Sequence, residues 1–236
     1  MKLNQKQKKQ VALQLKAHAH SEYKADVSII GGLTLKNFSV IPNILRPEIM
    51  NALQLAQWLC LNNGLYKNKS VIDIGTGTGI QGIVMAMCGA KKIICSDISK
   101  DATKNANINI KKYKLSNKIK VIESDLFQRI KSQKFDLIVF NHPFFSDGSM
   151  EEQLSTSFSL LERGNLIHRF FTDAKKFLKK DGLIVMPYYH LAGPINDPAV
   201  QAPKNGYKVL EKFNMNVTTG LQKGSVSIYE IRLNRN

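Results

Sequence analysis

Residues 73–79 read Asp-Ile-Gly-Thr-Gly-Thr-Gly, directly after the apolar start Ser70-Val71-Ile72. Glycines at the end of a strand allow a sharp turn into a helix and close approach of a ligand to the backbone. Gly77, Gly79 and Gly82 also satisfy GxGxxG, the dinucleotide fingerprint. Asp97 ends the next apolar run, "KIICSD". Its carboxylate can accept from both hydroxyls of a ribose, each charge-assisted bond contributing roughly 1.5–3 kcal/mol. A fourth apolar run, "FDLIV", ends in Phe140-Asn141-His142-Pro143-Phe144-Phe145. An amide, an imidazole, a proline and two aromatics are unusual at a strand end unless the strand opens onto a ligand site.

A nicotinamide enzyme and an adenosyl-cofactor enzyme both need Asp97. Asp73 separates them. A carboxylate beside a pyrophosphate repels it. S-adenosylmethionine (SAM) has no phosphate; it carries an ammonium and a sulfonium, which an acid favours. The third apolar run ends in Glu123-Ser124-Asp125-Leu126, where Asp125 can accept from an adenine amino group.

Taken in order, DIGTGTG, Asp97, SDLF and NHPF resemble the motif series of the class I SAM-dependent methyltransferases. The resemblance spans roughly residues 40–234 and implies SAM as cofactor. It implies cofactor binding by Asp73, Gly75, Gly77, Gly79, Asp97, Asp125 and Leu126. Asn141, Pro143 and Phe144 resemble the (Asn/Asp)-Pro-Pro-(Tyr/Phe) motif of enzymes that methylate planar nitrogens, such as glutamine amides and adenine N6. His142 stands where proline is usual. A delocalised nitrogen attacks poorly. Acceptance of its two N–H groups by the Asn141 side-chain carbonyl and the His142 main-chain carbonyl would localise its lone pair and orient it. Pro143 stiffens the loop, and Phe144 can stack on a flat acceptor. The catalytic candidates are therefore Asn141, His142, Pro143 and Phe144; the His142 ring is a further candidate for proton removal. Upstream, Phe38, Val40, Arg46, Pro47 and Glu48 resemble a segment of the release-factor and ribosomal-protein glutamine methyltransferases. Tyr188, Tyr189 and His190 are candidate substrate residues, because "MPYYHLAGPINDPAVQAPKNGY" leaves the next strand with four prolines. Ser146–Phe158 is a candidate lid.

The elements that must position these residues alternate. Strands at "SVIDIG", "KIICSD", "KIKVIES", "FDLIVFN" and "GLIVMP" are separated by helical patterns, which predicts a parallel sheet covered on both faces. The expected fold is α/β: a doubly wound, mostly parallel seven-stranded Rossmann-like sheet with a small N-terminal helix and hairpin. Residues 1–45 are expected to form a basic arm and hairpin, and 46–236 the SAM-dependent methyltransferase domain. Val209, Leu210 and Phe213 suggest a late helix, followed by an antiparallel edge pair.

Bulk properties bound the rest. The chain has 236 residues, 43% of them hydrophobic, and no apolar run long enough to span a membrane. Cys60, Cys88 and Cys95 form no CxxC pair, as in a reducing compartment, so a cytoplasmic location is expected. No metal site is expected from the five histidines. Thirty-four Lys and Arg against 18 Asp and Glu give +16, which attracts polyanions such as RNA or ribosomes. The expected function is SAM-dependent N-methylation of a planar nitrogen, in a glutamine amide of a translation protein or an adenine of rRNA or tRNA. The alternatives are a nucleic-acid-binding protein that keeps the fold without transfer, and a nicotinamide-dependent oxidoreductase.

Overall fold

The computed structural model describes residues 3–18, 20–48, 50–145, 165–219 and 222–234. The chain opens on helix α1 (Gln5–His18) and a hairpin of β1 (Tyr23–Ile29) and β2 (Leu33–Val40). Next come α2 (Met50–Leu61), β3 (Ser70–Ile74), α3 (Ile80–Met87), β4 (Lys92–Asp97), α4 (Lys100–Lys112), β5 (Ile119–Glu123) and β6 (Phe135–Phe140). They are followed by α5 (Leu166–Phe177), β7 (Leu178–Tyr189), α6 (Pro198–Lys204), β8 (Tyr207–Thr219) and β9 (Gln222–Leu233).

Seven strands form the main sheet in the order β5-β4-β3-β6-β7-β9-β8. The first five pair in parallel, and β9 pairs antiparallel with both β7 and β8. The chain builds outward from β3 to β5, then returns to lay β6 on the other side of β3. That reversal leaves a crevice beyond the carboxyl ends of β3 and β6, the place where such sheets bind ligands.

Strand periodicity divides the core. Ile72, Ile138 and Ile184 face one apolar cluster, completed by α5 through Phe170 and Phe171 and by Val11 of α1. Val71, Leu137, Val139 and Val185 face the other, completed by α2, α3 and the hairpin. Burial of each such side chain stabilises the fold by about 1.5–3 kcal/mol relative to exposure. Helix α3 is buried from Ile80 to Ala86 and presses directly on β4. A Cβ on Gly82 would stand 2.3 Å from the Cys95 sulfur, so this approach requires glycine. Helix α1 docks through Val11 and through Gln7, whose amide donates to the carbonyls of Leu191 and Ala192 at 3.1 and 3.0 Å, and Leu3 just before it is also buried.

Three local expectations change. Val209, Leu210 and Phe213 lie in strand β8, not in a helix. Their four-residue spacing fits an even strand period as well as a helical turn, and a register shift between Glu211 and Phe213 accommodates the intervening residue. The sequence pattern Ile167, Phe170, Phe171, Ala174, Phe177 and Leu178 predicts a helix ended by Asp181-Gly182, but α5 ends at Phe177. Leu178 already pairs with Phe135, and Leu183 with Leu137, so residues 179–182 form an irregularity near the start of β7. The segment after strand five is also less open than its prolines suggest. Met186–Tyr189 complete β7, and Asp197 caps α6, accepting from the Ala199 N–H at 2.8 Å.

Candidate active site

Four parallel strands end around one cavity of about 320 Å³. Gly75–Thr78 follow β3, Asp97–Ser99 end β4, Ser124–Leu126 follow β5, and Phe140, Asn141 and Pro143 come from the end of β6. Asn43–Leu45, beyond the hairpin, Ala52, Ile80, Gln81 and Ala102 from α2, α3 and α4, and Leu166 and Arg169 of α5 also line it.

The glycine loop is held by its own hydrogen bonds. Gly75, Gly77 and Gly79 have φ of +63°, +55° and +85°, where a side chain would be strained. The Thr76 N–H donates to the Ser96 carbonyl, Gly79 N–H to the Thr76 carbonyl, and Gly77 N–H to an Asp97 carboxylate oxygen, each at 2.9 Å. Those three donors are already used, so they do not form an anion nest of the kind that cradles a pyrophosphate. This donor set favours a phosphate-free adenosyl group over a dinucleotide.

Asp97 accepts from the Gly77 and Ser99 N–H groups, one on each oxygen, both at 2.9 Å. The Ile98 N–H is a third backbone donor to it, and the partly buried carboxylate lines the cavity. Burial raises its pKa, against the lowering effect of those backbone donors. Asp73 lies elsewhere. It is buried beneath the loop, absent from the cavity wall, and accepts from the Thr76 hydroxyl at 2.5 Å. Burial pushes its carboxyl up to about 7. Its role in this geometry is to hold the loop. Asp125 lines the cavity, where Arg169 of α5 and the Gln128 amide hydrogen-bond to one of its oxygens.

Asn141 is half-buried on the cavity wall, and its amide has no hydrogen-bond partner among the described residues. Its neighbours are fixed from behind. The buried His142 ring donates from Nε2 to the Asn196 carbonyl at 2.9 Å. The Asn196 amide in turn donates to the Phe144 carbonyl at 3.1 Å. Residues 142–144 are thus bracketed by one buried asparagine. His142 also stacks on Tyr188, with ring centroids 5.8 Å apart and planes 11° from parallel, and meets Phe144 edge-on. Burial lowers its pKa to about 4, so near neutral pH the ring is uncharged.

Of the residues singled out from sequence, Gly75, Gly77, Asp97, Asp125, Leu126, Asn141 and Pro143 share the cavity wall. Gly79 shapes the loop behind it; Asp73 and His142 sit beneath. Phe144 is partly buried edge-on against Tyr188. Tyr188 and Tyr189 are fully buried outside the cavity wall, and the Tyr188 hydroxyl donates to the Gly193 carbonyl. His190 joins Ser227 at 2.7 Å on the far side of that packing. Ser146–Phe158 lie outside the described residues. Arg46 and Glu48 form an ion pair at 2.7 Å, joined by the Tyr23 hydroxyl.

Sequence reasoning missed four contributors: Arg169, Asn105, Asn109 and Asn196. Asn105 and Asn109 are fully buried one turn apart on α4. Their side-chain oxygens accept the Ile41 and Ser39 N–H groups, and their amides donate to the Ser39 carbonyl. Asn109 also donates to the Thr78 carbonyl. This pair ties the hairpin to the glycine loop and so holds residues 43–45 over the cavity. Two amides at helical spacing on an otherwise apolar face were the available signal.

A family model, "Methyltransferase small domain", matches residues 55–211, and the chain belongs to that family. It is 35% identical over 153 residues to a Methanocaldococcus jannaschii protein provisionally named protein N5-glutamine methyltransferase, covering 63% of this chain and 76% of that one. It is 36% identical over 142 residues to the ribosomal protein uL3 glutamine methyltransferase of Francisella tularensis, covering 56% of this chain but 44% of the relative. The chain therefore spans under half the length of that second relative. Among solved structures, a ribosomal protein L11 methylase from Lactobacillus delbrueckii shares the fold, with TM-score 0.55 and 21% identity over 79% of this chain and 81% of that one. The chain is thus a methyltransferase of the SAM-dependent class, and the nicotinamide reading of GxGxxG falls away. Among the described residues, no helix is long and apolar enough to cross a membrane.

Proposed function

We propose that this methyltransferase transfers a methyl group from SAM to the amide nitrogen of a glutamine in a protein of the translation apparatus. The observation that carries the proposal is the Asn141 amide. It stands unpartnered among the described residues, on the same wall as the glycine loop and Asp97. The residues present fit an adenosyl cofactor. Asp97 offers its carboxylate to a ribose diol, Leu126 and Ile98 supply apolar surface, and the loop lacks a phosphate nest. The chemistry supplied by that cofactor is a methyl group carried on cationic sulfur.

The chain's own residues hold the acceptor. The Asn141 carbonyl and the main-chain carbonyl of His142 accept the two N–H groups of the amide, and Pro143 keeps them aimed. The neutral His142 ring lies outside the cavity wall, so its part is to support the loop rather than to take a proton. Two features favour a protein amide over an RNA base. Relatives bear glutamine methyltransferase names. Among the described residues, the one basic side chain on the cavity wall, Arg169, is already paired with Asp125. A polynucleotide acceptor calls for unpaired cations at the mouth.

Tritiated SAM offered to separated protein and RNA fractions from a methylation-naive extract tests this. Label in protein, lost with Asn141→Ala, is expected. Label in RNA alone assigns adenine as the acceptor instead, and label in neither refutes a macromolecular substrate.

A further inference from the structure

The edge of the main sheet opposite the cavity carries a row of cations. Lys69 immediately precedes β3, Lys91 precedes β4 and Lys92 begins it, Lys118 precedes β5, and Lys134 precedes β6; all five are exposed. Their adjacency is fixed by the backbone. The Lys69 carbonyl accepts the Lys91 N–H, and the Lys118 carbonyl accepts the Ile93 N–H, both at 2.9 Å. Towards the other end of the sheet, Lys208 of β8 pairs with Arg232 of β9. At about 4.8 Å between strands, the six gaps from β5 to β8 extend the row over about 29 Å. Two acids lie along it, Asp136 and Asp181, and Lys179 already neutralises Asp136 at 2.8 Å.

Like charges in a row repel one another, and the row gains stability from a partner of opposite, repeated charge. We propose that this ledge binds the phosphate backbone of RNA and anchors the enzyme on a ribonucleoprotein particle. None of the large, exposed apolar side chains among the described residues is aromatic, so the ledge has no fully exposed ring on which a base can stack. Contact is therefore to phosphates and independent of base sequence. A ledge at the strand starts lies about 17 Å, the five-residue length of β3, from the cavity at their ends. RNA held there leaves the cavity open to a protein segment. The proposal goes beyond the nature of the methyl acceptor and does not depend on it.

Fluorescence anisotropy with a labelled RNA hairpin, read across a salt series, tests it. The variant Lys91→Glu/Lys92→Glu/Lys118→Glu/Lys134→Glu is compared with Lys6→Glu/Lys8→Glu/Lys9→Glu/Lys16→Glu on α1, which has the same net charge. Wild type should show a steep salt dependence. The ledge variant should weaken binding at least tenfold at low salt and flatten the log–log slope by about 3, for four lost phosphate contacts. The α1 variant should bind like wild type. Glutamine replacements at the four ledge positions, with circular dichroism to establish folding, should reproduce the loss. Equal weakening by both sets would reduce the effect to net charge and overturn the proposal. So would undiminished binding by the ledge variant, or preference for phosphatidylserine vesicles over RNA at the same salt.

Discussion

Asn196→Ala should slow methyl transfer without loosening the cofactor. Asn196 is buried, and its amide donates to the Phe144 carbonyl at 3.1 Å. The substitution leaves that carbonyl unpaired in a closed setting, at a cost of about 1–3 kcal/mol. Since 1.4 kcal/mol is tenfold, the fraction of molecules with residues 142–144 aligned should fall by roughly ten- to a hundredfold. The main-chain bond from His142 to the Asn196 carbonyl is untouched by the change, so the loop should lose aim rather than unfold. Steady-state assays at saturating SAM should show kcat down by that factor. Calorimetric affinity for S-adenosylhomocysteine should be unchanged, because the hydrogen bonds that hold the glycine loop and Asp97 do not involve Asn196. The partner variant His142→Ala should lower kcat by the same route. The double variant should be less damaging than the product of the two, since both act on one bracket. An unaltered kcat alongside a lowered melting temperature would reduce the bracket to fold support and refute the reasoning.

Three further outcomes follow from the same geometry. His142 has a folded pKa near 4 against an ordinary 6.5, so its stabilising contribution is present above pH 6.5 and is lost as pH falls toward 4, by about 3 kcal/mol. Asp73, raised from 3.8 to about 7, has the opposite sign: stability is lost as pH rises between those values, by about 4 kcal/mol. Urea titrations should therefore show partial cancellation in wild type, stability rising with pH for Asp73→Asn, and stability falling with pH for His142→Gln. Asp97→Asn should weaken S-adenosylhomocysteine at least tenfold by calorimetry, from loss of charge-assisted bonds of about 1.5–3 kcal/mol each. Asn105→Ala removes the acceptor of the Ile41 N–H and a donor to the Ser39 carbonyl, and should lower unfolding free energy by roughly 2–3 kcal/mol. Cofactor affinity should fall with it, because residues 43–45 are held over the cavity by that pair.

The alternation of strand and helix from Ser70 to Glu123 was readable because parallel strands are buried on both faces and glycine loops punctuate them; no helix separates β5 from β6. The same glycines, Asp97 and Asn141 were readable as one site because the fold delivers successive strand ends to one edge. Other parts were ambiguous for identifiable reasons. Val209 and Phe213 are four apart, a spacing that helices and strands share, and the Glu211–Phe213 irregularity is invisible in a linear pattern. Tyr188 and Tyr189 look like pocket residues beside a proline-rich segment. Their strand runs further than the apolar run suggests, through Tyr189, and both rings are buried in the core. Asp73 carries the charge expected near a sulfonium, yet the Thr76 hydroxyl draws it beneath the loop. Arg169, Asn109 and Asn196 act through partners 44, 70 and 52 residues distant in sequence, a relation that no local motif encodes.

The most direct test is to incubate the protein with methyl-deuterated SAM and the ribosomal proteins of a strain lacking its own copy, then sequence the products by mass spectrometry. A single labelled methyl on a glutamine side-chain nitrogen, absent with Asn141→Ala and retained with Tyr189→Phe, is the predicted result. A labelled methyl on any other group, or undiminished labelling by Asn141→Ala, would contradict the account.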